Sequence, residues 1–168
     1  LGQHGAGSSS EIGSIMTNDF GVEGGQGAYN TTRNGVYCAV YCNLNSKGVI
    51  VDLNGKVLHG PSNQRGTPYG NQFRSTNILV HTNAKCKSID HMRQLARQVH
   101  VSVARVITPY SAFSDGGVLF LTSTETVDFE EEALLGMFFC EFVYQAVHSV
   151  ARYHLQSKAE PVQKGFTN

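Results

Sequence analysis

Residues 74–128 read RSTNILVHTNAKCKSIDHMRQLARQVHVSVARVITPYSAFSDGGVLFLTSTETVD. Ile78 to Val80, flanked by Ser75 to Asn77 and by His81 and Thr82, predicts a buried strand. Ser88 is a good helix N-cap. Beyond it Ile89, Met92, Leu95, Ala96, Val99, Val103 and Val106 recur at helical spacing, which predicts a helix with one apolar stripe ending near Val106. Pro109 closes that helix, because the residue before a proline is pushed out of the α region. YSAFSDGG (110–117) predicts a loop, and Val118 to Thr122 predicts a central strand that fades toward Val127.

Working outward, Asp128 is placed to cap a second long helix, with Glu130, Glu131 and Glu132 in its first turn complementing the dipole. That helix is expected to reach about Gln156 and to bury Leu134, Met137, Phe138, Val143, Val147 and Val150. The tail AEPVQKGFTN carries no helical pattern. Upstream, Val36 to Leu44 and Gly48 to Leu53 predict two strands joined by the turn Asn45-Ser46-Lys47. Asn54-Gly55 then signals a hairpin into Lys56 to His59. Residues 60–74 form a polar loop, the natural place for chain cleavage. Residues 1–35, rich in Gly, Ser and Asn, read as loops with short strands. Strands separated by two long helices predict a layered α/β sandwich.

Composition narrows the chemistry. The 168 residues suffice for one domain with a core, and 40% are apolar. Thirteen basic residues balance thirteen acidic ones, so no electrostatic footprint points to nucleic acid or an anionic membrane. No uninterrupted run of eighteen apolar residues exists, so no membrane span is expected. Cys38 and Cys42 have the sequence spacing of some metal sites, but on a strand they lie roughly 13 Å apart, too far for one zinc. Together with Cys86 and Cys140 they read as free thiols in a reducing, cytoplasmic setting. No G-x-S-x-G, H-E-x-x-H or Walker motif is present. His100 reads as a histidine on the helix surface.

One arrangement makes chemical sense. Ser75 and Thr76 stand between an exposed loop and a buried strand. Cleavage before either would free an α-amine that titrates near pH 8 (about 7.7–8.0) and can act as base for its own hydroxyl.

STNILVHTNAKC, LARQVHVSVARVITPYSAFSDGG and VLFLTSTETVD, with FGVEGGQG and GVYCAVYCNLNSKGVIVD upstream, resemble the L-aminopeptidase/D-esterase family. That family includes the β-peptidyl aminopeptidases and is similar to the nylon-oligomer endohydrolases. The resemblance implies a four-layer α/β/β/α sandwich, shared with ornithine acetyltransferases, of which this chain holds the C-terminal part. It implies that residues 1–74 correspond to the end of an α-subunit-like segment and 75–168 to the nucleophile-bearing segment. It implies self-cleavage between Arg74 and Ser75, after which Ser75 is the nucleophile, with Thr76 as fallback. Asn43 then falls on the oxyanion donor, with Asn45 as the alternative on the same strand face, and Asp115 falls on the acid that orients the amine. The implied activity is hydrolysis of short peptides or oligoamides through an acyl-enzyme, without metal or organic cofactor. The expected partners are such a substrate, a missing N-terminal part or partner chain, and further copies in a homo-oligomer. A non-catalytic relative and an acyltransferase of the ornithine type are the alternatives. Three positions depart from the pattern: Arg74 replaces an asparagine, Gly117 replaces a second aspartate, and Glu23 replaces a lysine.

Overall fold

The computed structural model describes residues 1–16, 21–61 and 73–159. In chain order these residues form β1 (Glu11–Ile12), β2 (Val22–Glu23), β3 (Gly25–Arg33), β4 (Val36–Leu44), β5 (Val49–Val51), β6 (Val57–His59), β7 (Arg74–Ala84), α1 (Ile89–Ser102), β8 (Ile107–Thr108), β9 (Asp115–Val127) and α2 (Glu132–Ala159). The main sheet has the order β3-β4-β7-β9. Its first two pairings are antiparallel and β7–β9 is parallel. A parallel pair needs a long crossover, and α1 supplies it. A small antiparallel sheet, β6-β5-β8, and the β1-β2 pair stand beside it.

Alternation along the strands gives the main sheet two different faces. Cys38, Val40, Cys42 and Leu44 of β4 share one buried face with Thr76, Ile78, Val80, Thr82 and Ala84 of β7. The helices cover this face. Leu135, Phe139, Phe142, Ala146 and Val150 follow one another three or four residues apart along α2, and all are buried in the same core. The helix lies so close that a Cβ at Gly27 would come within 2.2 Å of the Ala146 carbonyl oxygen, which is why β3 carries a glycine there. The opposite face exposes Tyr41, Leu79, Val118 and Phe120. One sheet with one helix layer is half of an α/β/β/α sandwich, as expected.

Several expectations change. β3 is a nine-residue strand where only loops and short strands were expected, its threonines and tyrosine outweighing its glycines. β9 begins at Asp115, not Val118, because Gly116 and Gly117 continue the ladder opposite Ser75 and Thr76. Asp128 does not cap α2. The first helical bonds run from Leu134 and Leu135 to the Glu131 carbonyl, while Asp128 takes the Lys85 ammonium at 3.0 Å. On α2, Val143, Val147 and Val150 are buried as expected, but in the first half of the helix Leu135, Phe139 and Phe142 take the buried positions, leaving Met137 exposed and Leu134 and Phe138 half-buried. Ile89, at the first position of α1, is exposed. Ala133–Ser157, though it holds no unbroken run of eighteen apolar residues, is long and apolar enough to cross a membrane by length and composition, and half of its most apolar stretch is buried in this fold. The expected cleavage loop lies largely at 62–72, and the C-terminal tail at 160–168; both fall outside the described residues.

Candidate functional site

The ends of β4, β7 and β9 coincide. Ser75 is the second residue of β7 and stands opposite Gly116, while Arg74 stands opposite Asp115. On the other side of β7, Asn77 stands opposite Asn43. Side chains two apart on a strand share a face, so Ser75, Asn77 and Asn43 all lie on the open side, Ser75 roughly 7 Å along β7 from Asn77. Thr76, the fallback nucleophile, points the other way and is 0% exposed.

Asn43 is oriented by a neighbour that sequence reasoning did not single out. The Ser10 hydroxyl donates to Asn43 Oδ1 at 2.8 Å, the shorter of its two acceptor contacts, with Ala6 O at 3.2 Å. With its oxygen engaged, the Asn43 amide nitrogen is left to donate outward. It borders a cleft of about 290 Å³ lined also by Gln26, Tyr41, Asn77, Leu79 and Phe120. Asn45 is placed differently. Its Oδ1 accepts from the Glu11 amide at 3.2 Å and from Arg74 Nη1 at 3.3 Å, so its side chain ties β1 to the start of β7. Arg74 reinforces that tie through an ion pair with Glu11.

Asp115 is buried at the other side of the strand ends. Its Oδ2 accepts from the Ser46 hydroxyl at 2.9 Å and from the Lys47 amide at 3.0 Å. Its Oδ1 is buried with no partner among the described residues. Burial pushes the Asp115 carboxyl above its ordinary range, opposed by those two hydrogen bonds and by the charges of Lys47 and Arg74. Such a carboxylate suits the holding of a nearby positive group. Glu23, at the position of charge reversal, is exposed on β2, 3.9 Å from His154 Nδ1. His154 Nε2 donates to the Gly24 carbonyl at 2.7 Å, holding the turn into β3.

The sequence matches no protein-family profile and no curated protein. Solved structures do share the architecture. The PH0078 protein from Pyrococcus horikoshii OT3 superposes with a TM-score of 0.59 at 16% identity, over 89% of this chain and 43% of that one. An L-aminopeptidase D-Ala-esterase/amidase from Ochrobactrum anthropi, described as a prototype for the serine aminopeptidases and a variant of the Ntn-hydrolase fold, gives 0.54 at 15% identity, over 89% and 44%. The fold is Ntn-hydrolase-like. The chain spans less than half the length of either structure, and at these identities the likeness is one of fold alone.

Within this Ntn-hydrolase-like half, Ser75, Asn43 and Asp115 converge on the same strand ends, while Asn45 is occupied with structure and Thr76 is buried. Ser10, Ser46 and Lys47 hydrogen-bond to these candidate residues, and the sequence reading did not single them out. Ser10 sits in a stretch that reads as loop, and Ser46-Lys47 reads as a plain turn; only the fold carries them to Asn43 and Asp115. Cys38 and Cys42 stay in the core, where burial pushes both thiols up to about 12. Among the described residues no group of three His, Cys, Asp or Glu side chains is arranged to hold a metal ion.

Proposed function

We propose that this chain carries the nucleophile half of an N-terminal-nucleophile amidohydrolase acting on short peptides or oligoamides. The observation that carries the reading is that one set of strand ends holds Ser75 and an amide donor on Asn43 on the open face and the buried carboxylate of Asp115 on the other side. In this reading Ser75 Oγ first displaces the Arg74–Ser75 amide nitrogen as an ester, and water hydrolyses that ester. Ser75 is left with a free α-amine and its hydroxyl. In turnover the amine accepts the hydroxyl proton as Oγ adds to the substrate carbonyl. The Asn43 amide donates to the developing oxyanion, a contribution of about 2.7–4 kcal/mol where such donors have been removed elsewhere. The leaving amine takes the proton, and water then releases the acyl group and restores Ser75. Asp115 steadies the protonated amine. No metal or organic cofactor is required.

Asn43 is preferred over Asn45 because it borders the cleft, whereas Asn45 lies off it and ties β1 to Arg74, and Ser75 over Thr76 because it lies on the open face. The open apolar face fits a covering layer, from chain beyond this sequence or from another copy in an oligomer. The test is intact mass together with hydrolysis of aminoacyl and oligoamide substrates. Wild-type protein is expected to split between Arg74 and Ser75 and to turn over, and Ser75→Ala to do neither. An uncut wild type with activity unchanged in Ser75→Ala would sink the reading.

A further inference from the structure

Two polar side chains hold the start of β9 from the helix side, and the reaction proposed above leaves them unused. Tyr110 Oη and His100 Nε2 lie 3.1 Å apart, and their rings meet edge to face with centroids 5.3 Å apart. A Cβ at Gly117 would fall 2.5 Å from Tyr110 Oη and 3.1 Å from His100 Nε2, so the pair bears directly on the strand backbone and only glycine leaves room. Gly117 stands opposite Thr76, whose hydroxyl is fully buried and has no partner among the described residues. Asp115, with its own unpartnered oxygen, is two residues back on the same side, roughly 7 Å away. Burial, and the nearby Asp115 charge, push the Tyr110 phenol up to about 12, so it stays protonated.

On its other side His100 reaches a groove of about 330 Å³ between α1 and β9, bordered also by Arg97, Val101 and Val118. The pair therefore runs from that groove to the buried end of the site. When His100 is neutral and accepts at Nε2, the phenol proton points toward it and the phenol lone pairs face β9. When His100 is protonated, Nε2–H donates to Oη and the phenol proton is released to the β9 side. The two states put the phenol proton on opposite sides of its oxygen, toward His100 or toward the strand that carries Asp115.

We propose that His100 and Tyr110 are positioning residues that couple protonation of His100, at the groove, to the charge and orientation of Asp115. The proposal rests on the reading that Asp115 serves the Ser75 amine. Other charges act on the same groups. Lys47 and Arg74 face Asp115, and Glu11 pairs with Arg74. Arg97 borders the groove from the same helix as His100, and β9 offers only Gly117, Val118 and Leu119 there.

The test is a carbon-13 NMR titration of the Asp115 carboxyl in wild type, Tyr110→Phe and His100→Gln, with Asp115→Asn assigning the resonance and nitrogen-15 shifts following His100. Tyr110→Phe keeps the ring packing and removes only the hydroxyl. The wild-type carboxyl is expected to show two inflections, its own and one tracking His100, and the second is expected to vanish in both variants. A single inflection in wild type, or a second one that survives Tyr110→Phe, overturns the coupling. Because the readout is a titration, its failure is separable from failure of the proposed function. A coupled Asp115 in a protein without Ser75-dependent hydrolysis removes the function and leaves the pair. An uncoupled Asp115 in a working hydrolase removes the pair alone.

Discussion

On the main sheet, β4 presents Cys38, Val40, Cys42 and Leu44 to the helices and Tyr37, Tyr41 and Asn43 to the other side. β7 does the same with Ile78 and Val80 against Ser75, Asn77 and Leu79. The helix-covered face holds the aliphatic and aromatic bulk, closed by Phe139 and Phe142 of α2. The open face gathers hydroxyl and amide groups at the strand ends and leaves Phe120 58% exposed further along. The strands are common to both, so the period of two alone separates what stabilises the fold from what can react. Substitutions should therefore divide by face.

The largest effect expected is on the covered face. Phe139→Ala removes a fully buried ring from between helix and sheet, and should cost about 3–5 kcal/mol of stability. Phe120→Ser, on the open face, should leave the stability of this chain within about 0.5 kcal/mol. Urea unfolding of the two variants checks both; equal losses would break the distinction between the faces.

Next comes the site itself. Asn43→Ala should lower kcat by about 10²–10³ with little change in KM or stability, because the amide acts on charge that develops only in the transition state. Ser10→Ala should produce a smaller loss of the same kind, since it frees the Asn43 amide to turn without removing it. Asn45→Ala should instead show in stability, through the released Arg74 and Glu11 contacts. Steady-state kinetics beside thermal melts sorts the three. A kinetic loss confined to Asn45→Ala would reassign the oxyanion donor.

The same division explains what was legible in the sequence. Val36–Leu44 was readable to the residue because valine, tyrosine and cysteine make up six of its nine residues. Ser75 stands out at the junction of a polar loop and an apolar strand, whereas Asn43 and Asp115 carry no such signal and were reached only through the family resemblance. Ser10 and Lys47 were not reached, since their partners are 33 and 68 residues away and neither carries a local signal. β3 was hidden by its glycines, Gly27 serving the close approach of α2 and Gly25 that of the Gly2 backbone, both tertiary causes. The buried face of the first half of α2 was hidden because apolar residues occur nearly all round it there, so its period does not choose a face, while Val143, Val147 and Val150 were legible.

Asp115 lies buried on the helix side of the strand ends, and its titration shows what a buried carboxyl costs the fold. It is buried like a core residue yet charged like a catalytic one, and burial raises its carboxyl above the unfolded value. A raised carboxyl binds its proton more tightly in the folded state than in the unfolded one. Folding stability from this group is then greatest below the ordinary carboxylate range and declines as pH rises through the raised folded value. Asp115→Asn keeps an oxygen for the Ser46 hydroxyl and the Lys47 amide but carries no charge. The variant should be more stable than wild type at neutral pH. The advantage should shrink on acidification, as the wild-type carboxyl takes up its proton, while hydrolysis is lost throughout. Urea denaturation of both proteins across the acid range measures this directly. A variant that is less stable at neutral pH, or whose advantage grows toward acid, would mean that the Ser46, Lys47 and Arg74 contacts outweigh burial and that Asp115 is a structural anchor.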